Sequence, residues 1–329
     1  MFLQYIFLFM FYCANAYPVP MTTTFATTTF APTTFATTTF APTTFAPTTF
    51  APTTFAPTTF APTTFAQDIP IVVLHGIASS APNMDVLSEW LENTFDREVF
   101  NIEIGNGVQN SVFMPLHKQL DILCDTIYDI PELQDGFDFI GMSQGGLLAR
   151  GYLENCNGYP VRNLINLASP NGGVVEYTSL NMYSDFNQEH LSISGYWRDP
   201  LELDEYLNKC SYLPFLNNER MHQLSTHYKE RIISLKNYIV IWSPFDDVIN
   251  PPESAKFSFF DEEYNIIPLR ETLLYKEDTL GLRTLDEDNR FHIYETNCTH
   301  VQHRDPVCFM QLYEILDKYL ALFRKVQQK

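Results

Sequence analysis

One stretch near the middle of the chain restricts the fold more than any other. The apolar run Phe137–Ile140 leads directly into Gly141-Met142-Ser143-Gln144-Gly145, and a helix-forming sequence follows from Gly146. A buried strand that turns at once into a helix needs a tight turn, and the glycines on either side of Ser143 leave room for one. The turn holds the serine hydroxyl above the edge of a sheet, beside a helix N-terminus that stabilises negative charge.

Strand and helix patterns alternate through the rest of the chain from residue 68 onwards. Apolar, β-branched runs predict strands, and apolar residues spaced three or four apart predict helices. The predicted strands are Ile69–Leu74, Val99–Ile104, Phe137–Gly141, Val161–Leu167, Tyr238–Trp242 and His292–Thr296. The alternation predicts a mostly parallel central sheet with helices on both faces, and together with the serine elbow it predicts an α/β-hydrolase fold. The pattern becomes irregular and rich in aromatic residues at about 172–236, which predicts an inserted cap, and a last helix is predicted over 305–325.

The first 67 residues cannot contribute to this core. Phe2 to Cys13 are almost entirely apolar, and Ala14-Asn15-Ala16 follows, so residues 1–16 predict a cleaved signal peptide too short to span a bilayer. Residues 17–67 repeat Thr-Thr-Phe-Ala-Pro or Thr-Thr-Phe-Ala-Thr, and a period of five forms no continuous apolar face on a helix or strand. We interpret 17–67 as an extended, disordered or polyproline II stalk of the kind that carries O-glycans, and 68–329 as the catalytic domain.

Charge and cysteine usage restrict the partners and the compartment. The net charge of −19 lies entirely on 68–329, because no charged residue precedes Asp68. Nucleic acids and anionic membrane surfaces are poor partners for such a domain. The signal peptide predicts the secretory pathway, where disulfides form between cysteines. No Cys or His spacing indicates a metal site, and we expect no stable membrane span; the oligomeric state is left open.

A serine hydroxyl attacks only when a base removes its proton, and Ser143 is the candidate nucleophile. In this fold an acid and then a histidine follow the serine along the chain. Asp246 comes after a predicted strand in the expected place for the acid, and Asp247 is an equal alternative from spacing alone. His300 and His303 both follow the last strand, and His300 is favoured because it is nearer the strand end.

The oxyanion of an acyl-transfer reaction needs two backbone N–H donors. Gln144 supplies the N–H directly after the candidate nucleophile. Ile77, on the loop after the first strand, is the simplest source of the second. His75 lies on the same loop, and its position there indicates a structural role.

Several separate segments resemble the palmitoyl-protein thioesterase family, and more closely its palmitoyl-protein thioesterase 2 branch of lysosomal thioesterases. The similarity runs from about residue 69 to 320, and the motifs agree in order. They are Val73–Gly76, Gly141–Leu147, Leu167–Pro170, Tyr196–Pro200, Asn217–Arg220, Asp246–Pro251, Phe257–Phe260, Leu280–Leu285 and Thr299-His300.

The resemblance implies a serine thioesterase for long-chain fatty acyl thioesters, on a protein or on coenzyme A, without a cofactor or metal. It implies the triad Ser143, Asp246 and His300, since aligning Val248-Ile249-x-Pro251 selects the first aspartate. Gln144 and Ile77 match the family's oxyanion positions.

The resemblance also bears on the cysteines and on localisation. Cys124 and Cys156 match a disulfide pair of the family. We also pair Cys298 with Cys308, which would clamp the loop of His300; Cys210 is left without a predicted partner. A lysosomal or extracellular location is expected. The Asn297 sequon adjoins His300, so we expect it to be unmodified or to point away.

Two other functions compete with the thioesterase. A carboxylesterase or lipase would use the same triad on oxyesters, because nothing in the triad selects sulfur as the leaving atom. A secreted binding protein could keep the fold without turnover, although the complete set of serine, aspartate and histidine argues against it.

Overall fold

The computed structural model describes residues 68–321, so the predicted signal peptide and stalk lie outside the described residues, as do 322–329. The strands are β1 (Ile71–Leu74), β2 (Val99–Ile102), β3 (Phe137–Met142), β4 (Val161–Leu167), β5 (Asn237–Trp242), β6 (Phe259–Phe260), β7 (Ile266–Ile267) and β8 (Phe291–Glu295). In this part of the chain the main sheet has six strands, all parallel, in the order β2-β1-β3-β4-β5-β8. The carboxyl ends of its strands therefore share one edge, where α/β proteins place their binding sites.

Helices pack on both faces of this sheet. They are α1 (Asp85–Phe95), α2 (Val108–Phe113), α3 (Leu116–Tyr128), α4 (Gln144–Asn155), α5 (Asp185–His190), α6 (Leu203–Lys209), α7 (Leu213–Leu216), α8 (Ser225–Ser234), α9 (Leu273–Lys276), α10 (Leu282–Glu287) and α11 (Phe309–Leu320). On one face, Leu91 of α1 and Leu312 of α11 join an apolar cluster with alternate residues of β1, β3, β4 and β5. On the other face, Phe137 and Phe139 of β3 pack against Tyr152 of α4. Burial on both faces explains the continuous apolar runs of these strands, and the predicted fold class is confirmed.

The prediction of a cap at about 172–236 falls on the segment between β4 and β5, whose last helix packs differently from the rest. Helices α5, α6 and α7 and a 3₁₀ turn at Ser192–Tyr196 form its irregular part. Helix α8 lies instead against the elbow helix α4, where the Tyr228 hydroxyl donates to Asn155 Oδ1. Because Tyr228 and Ile232 bury its inner side, α8 belongs to the layer that covers the sheet.

The last helix also differs from the prediction over 305–325, because α11 begins only at Phe309. Asp305 has an extended backbone with φ −109° and ψ 153°. A residue that precedes proline is pushed out of the helical region, and Pro306 follows here. Residues Val301–Arg304 form a separate 3₁₀ turn before this break.

A buried arginine ties the elbow helix to the cap segment. Arg150 of α4 is fully buried, and its Nη2 donates to Leu216 O and Asn217 Oδ1, each at 2.9 Å. Glu154, one turn later, places Oε1 3.3 Å from the Arg150 Nε. Burial raises the pKa of Glu154 to about 8, although Arg150 opposes the shift.

Because the pKa of Glu154 is raised, the stability of the folded state should depend on pH. The folded state holds the Glu154 proton more tightly than the unfolded state, so its contribution is complete below pH 4.5 and is lost as pH rises through about 8. Glu154→Gln cannot lose a proton, so the variant should keep this contribution. Between pH 5 and pH 8.5 the melting temperature of wild type should fall by at least about 3 °C more than that of the variant. Equal falls in a thermal-shift titration would contradict the prediction.

Candidate active site

Ser143 sits between the end of β3 and the first residue of α4, in a strained backbone conformation. Its φ of 55° is unusual for a residue with a side chain, and persists only where the surroundings enforce it. Two glycines make this turn fit. A Cβ on Gly76 would lie 2.8 Å from the Ser143 Cβ, and one on Gly145 would lie 2.4 Å from His75 O. The packing thus presents the Ser143 hydroxyl at the carboxyl edge of the sheet, as the motif predicts.

Of the two candidate acids, Asp246 contacts the histidine side chain. The Asp246 Oδ2 lies 2.8 Å from the His300 Nδ1. Asp247 is exposed and accepts only the backbone N–H of His300, at 3.3 Å. A carboxylate cannot donate, so Nδ1 carries the hydrogen and the opposite ring nitrogen, Nε2, is left as a proton acceptor.

Asp246 is held as an anion by its surroundings. Burial alone would raise its pKa, but the hydrogen bond and charge of His300 and the amides of Ile249 and Val248 outweigh burial, so the pKa lies below its ordinary value. Both amides donate to Oδ1 at 2.9 Å. The acid therefore stays ionised in mildly acidic solution and keeps the tautomer of His300 fixed.

His303, the other candidate histidine, is turned away from the serine. Its Nδ1 lies 3.2 Å from the backbone oxygen of His300, and its Nε2 lies 2.8 Å from the Thr296 Oγ1. A carbonyl only accepts, so Nδ1 is the donor, and burial lowers the pKa of His303. His303 thus supports the backbone that carries His300.

His300 and Ser143 line the same small cavity, of about 60 Å³. Both side chains are buried, with exposed fractions of 4% and 5%. The other lining residues are Gly76, Ile77, Ala78, Ser79, Met142, Val301 and Arg304. The structure therefore brings a serine, a histidine with a free acceptor nitrogen, and a buried carboxylate into one site.

Of the two predicted oxyanion donors, Ile77 lines this cavity and Gln144 directly follows Ser143. Gln144 is the first residue of α4, so its N–H has no acceptor inside the helix. Its side chain is fixed by a bond from Nε2 to Ser111 O at 2.9 Å and by one from the Tyr196 hydroxyl at 3.1 Å. The N–H of Ile77 has no hydrogen-bond acceptor within 68–321. His75, on the same loop, contacts Glu103 instead of the serine, with Nε2 2.7 Å from Oε1.

Two disulfides join the pair that the family resemblance implied and the second pair that was predicted beside it. Cys124 of α3 bonds to Cys156 at the end of α4, and Cys298 bonds to Cys308. The second bridge closes the loop that carries His300. Cys210 is buried and unpaired. Asn297 is exposed at the start of the same loop.

The two bridges should differ in what they do for activity. Replacing Cys298 and Cys308 together by serine should loosen the His300 loop and lower kcat/KM about 10- to 100-fold, since small misplacements of a catalytic group cost this much. The matched control replaces Cys124 and Cys156, because Cys156 lies about 18 Å along α4 from Ser143. The control should lose thermal stability and keep kcat/KM within about 3-fold. Equal losses of kcat/KM in both double variants would contradict a special role for the loop bridge.

Sequence reasoning missed several residues that shape the site. Ser111 and Tyr196 fix the Gln144 side chain from distant parts of the chain. No local pattern marks Ser111, and the segment Tyr196–Pro200 carries the family resemblance without indicating this contact. Arg304 reaches the cavity from the 3₁₀ turn after His300. Arg304 directly follows His303 in the sequence, and this position could have indicated that it lies near the site.

The sheet, the strained serine elbow and the paired acid and histidine define a serine hydrolase of the α/β-hydrolase class. The sequence model of the family described as palmitoyl protein thioesterase matches residues 70–300. The chain therefore belongs to the palmitoyl protein thioesterase family, as the sequence resemblance predicted, and membership makes it a thioester hydrolase.

Individual relatives agree with this assignment. Palmitoyl-protein thioesterase 3 of Dictyostelium discoideum is 36% identical over 248 residues, which cover 71% of this chain and 86% of the relative. The lysosomal thioesterase PPT2 homolog of Drosophila melanogaster is 32% identical, with coverage of 71% and 85%. Lysosomal thioesterase PPT2 of Homo sapiens is 30% identical, with coverage of 66% and 76%.

Proposed function

We propose that this protein hydrolyses long-chain fatty acyl thioesters through an acyl-serine intermediate on Ser143. His300 is the general base and Asp246 orients it. The observation that carries the proposal is the 2.8 Å contact between His300 and Asp246 at the wall of the cavity that holds Ser143. Family membership supplies the preference for a thioester, since the triad chemistry is the same for an oxyester.

The first half of the reaction forms the acyl-enzyme. His300 Nε2 takes the proton of the Ser143 hydroxyl as its oxygen attacks the thioester carbonyl carbon. The carbonyl oxygen becomes an oxyanion, which the N–H groups of Ile77 and Gln144 stabilise. The carbon–sulfur bond then breaks, and the thiol leaves with the proton from His300.

The second half releases the fatty acid. His300 takes a proton from water, and the resulting hydroxide oxygen attacks the acyl-serine carbonyl. The same two amides stabilise the second oxyanion. The ester bond breaks, Ser143 regains its proton from His300, and a carboxylic acid leaves. No oxidation or reduction occurs, so the triad and water suffice for each step.

Three observations support a compartment for this protein. The relatives named above include lysosomal thioesterases. Disulfides form in oxidising compartments, and Asp246 remains ionised in mild acid. We infer entry into the secretory pathway through a cleaved 1–16 segment, with 17–67 as a tether, and a final location in the lysosome or outside the cell. Within 68–321 no helix has the length and apolar character needed to cross a bilayer.

The proposal is tested by comparing leaving groups on one acyl chain. Palmitoyl-coenzyme A and an oxyester of the same chain length are supplied to the purified protein, and kcat/KM is measured for each. Faster cleavage of the thioester is expected. Faster cleavage of the oxyester would identify a carboxylesterase or lipase instead. A fluorophosphonate probe that fails to label Ser143 in folded protein would indicate a binding protein without turnover.

A further inference from the structure

An N-glycosylation sequon lies at the start of the loop that carries His300, and the mechanism above does not use it. Asn297-Cys298-Thr299 begins two residues after β8, and no other Asn-x-Ser or Asn-x-Thr occurs in the sequence. Asn297 is exposed, and within 68–321 its side-chain amide has no hydrogen-bond partner. The acceptor nitrogen of a glycan is therefore accessible at the surface, as this pattern requires in a secreted chain.

A glycan on Asn297 would leave the active-site cavity open. Asn297 does not line that cavity. Its backbone N–H donates to the Gln311 Oε1 at 2.9 Å, so it lies beside helix α11. Near Gln311 in the sequence, Val307 is 67% exposed and Met310 is 77% exposed. Sugars that extend over the start of α11 would cover these apolar side chains.

The folded domain does not present the sequon in a form that a glycosylating enzyme can read. Such an enzyme must recognise the asparagine amide and the threonine hydroxyl together. Side chains two residues apart lie on the same side of a chain when the segment between them is extended. Here the chain bends at Asn297, and Cys298 is only 2% exposed. An enzyme therefore cannot enclose this segment as it stands in the folded domain.

The contacts that hold the sequon in its bent form depend on one disulfide. Cys298 is bonded to Cys308, at a sequence separation of 10. The Thr299 N–H donates to the Gln302 Oε1 at 2.8 Å, and the Gln311 Nε2 lies 3.4 Å from the Cys298 Sγ. Since all these partners are close to the bridge, its closure brings them together. The sequon is thus available before the bridge closes and is blocked afterwards.

We propose that Asn297 is N-glycosylated, and that the glycan is attached before the bridge between Cys298 and Cys308 closes. This goes beyond the proposed hydrolysis of thioesters and rests only on the inferred entry into the secretory pathway. The Asn297 Nδ2 forms a bond to the first sugar carbon of an oligosaccharide carried on a lipid diphosphate. The bond from that carbon to the diphosphate oxygen breaks, the lipid diphosphate leaves with the electron pair, and the amide loses one proton.

Expression of the full chain in a eukaryotic secretory host tests the site. An enzyme that releases N-linked glycans should increase the gel mobility of wild type. In heavy-oxygen water it should also convert Asn297 to a labelled aspartate, which peptide mass mapping detects. O-glycans on the stalk stay attached and do not affect either signal. Asn297→Gln and Thr299→Ala should lose the mobility shift, and Thr299→Ser should keep it.

A transfer reaction in vitro tests the order of events. Wild type made in bacteria, and therefore free of glycan, is offered to the glycosylating enzyme with its lipid-linked donor. With both bridges closed it should accept at least about 10-fold less glycan than the reduced and unfolded chain, because opening the folded loop costs free energy. Equal acceptance by the two forms would contradict the proposed order.

One cysteine variant isolates the loop bridge in the same reaction. Cys308→Ser removes that bridge and leaves the sequon unchanged, so the folded variant should accept more glycan than folded wild type. Cys156→Ser breaks the other bridge and is the matched control for lost stability. It should accept as little glycan as folded wild type. Equal acceptance by the two variants would show that general loss of stability, and not the loop bridge, exposes the sequon.

Activity and location separate failure of this proposal from failure of the proposed function. Asn297→Gln should keep kcat/KM on a palmitoyl thioester within about 2-fold of wild type, as for a surface substitution outside the site. A secreted wild type with closed bridges, but with no shift and no label, would overturn the glycosylation and leave secretion and hydrolysis standing. A chain recovered from the cytosol with reduced cysteines would overturn the compartment and the glycan together.

Discussion

Ser143→Ala should lower kcat on a palmitoyl thioester by at least about 10⁴-fold, and by as much as about 10⁶-fold if the triad acts as a unit. The methyl group cannot attack the carbonyl, and no acyl-enzyme can form. Residual hydrolysis above the rate in buffer would come from the Ile77 and Gln144 amides and from substrate binding. Steady-state kinetics with thiol release as the signal measures the effect.

Ser88→Ala is the matched control for this prediction. Ser88 is also buried, and its Oγ has no hydrogen-bond partner among the described residues. It lies on α1, none of whose residues lines the cavity. Activity of Ser88→Ala should stay within about 2-fold of wild type, as for a substitution remote from any functional group. A Ser143→Ala protein that folds normally and keeps more than about 1% of wild-type kcat would contradict the assignment of the nucleophile.

Asp246→Asn should lower kcat about 10⁴-fold while leaving the fold intact. The amide can donate to the His300 Nδ1, and the ring would then carry its hydrogen on Nε2, where it cannot accept the serine proton. The neighbouring substitution Asp247→Asn is the control. Its side chain touches only the backbone N–H of His300, at 3.3 Å, so a loss of less than about 10-fold is expected.

The pair of aspartate variants decides between two adjacent acids. The loss in Asp246→Asn should appear in kcat, with melting temperatures of both variants close to that of wild type. A larger loss of kcat in Asp247→Asn than in Asp246→Asn would show that Asp247 is the catalytic acid. It would also require the loop to rearrange in solution.

Local sequence patterns were sufficient for much of the fold. The strand Val161–Leu167 agrees with the prediction at both ends, and the other long strands agree to within two residues. The four inner strands β1, β3, β4 and β5 are buried on both faces, so their apolar runs are continuous and easy to see. The two-residue strands β6 and β7 were not predicted, because so short a pair shows no alternation.

Other features of the site depend on contacts between distant segments. Spacing could not separate Asp246 from Asp247. The structure separates them through two amides that hold the Asp246 Oδ1 and turn Oδ2 toward His300. Likewise, Arg304 lines the cavity from a 3₁₀ turn that ends before the extended Asp305. Such side-chain directions arise from tertiary packing, which a single sequence does not display.

Trapping of the acyl-enzyme tests the central claim most directly. Folded protein is mixed with a palmitoyl thioester, quenched in acid within milliseconds, and digested for peptide mass mapping. The mechanism predicts one palmitoyl group on the peptide that contains Ser143, absent from Ser143→Ala and discharged as free fatty acid in a chase. Turnover at the wild-type rate with the acyl group on another residue, or with no acyl-enzyme in either protein, would contradict it.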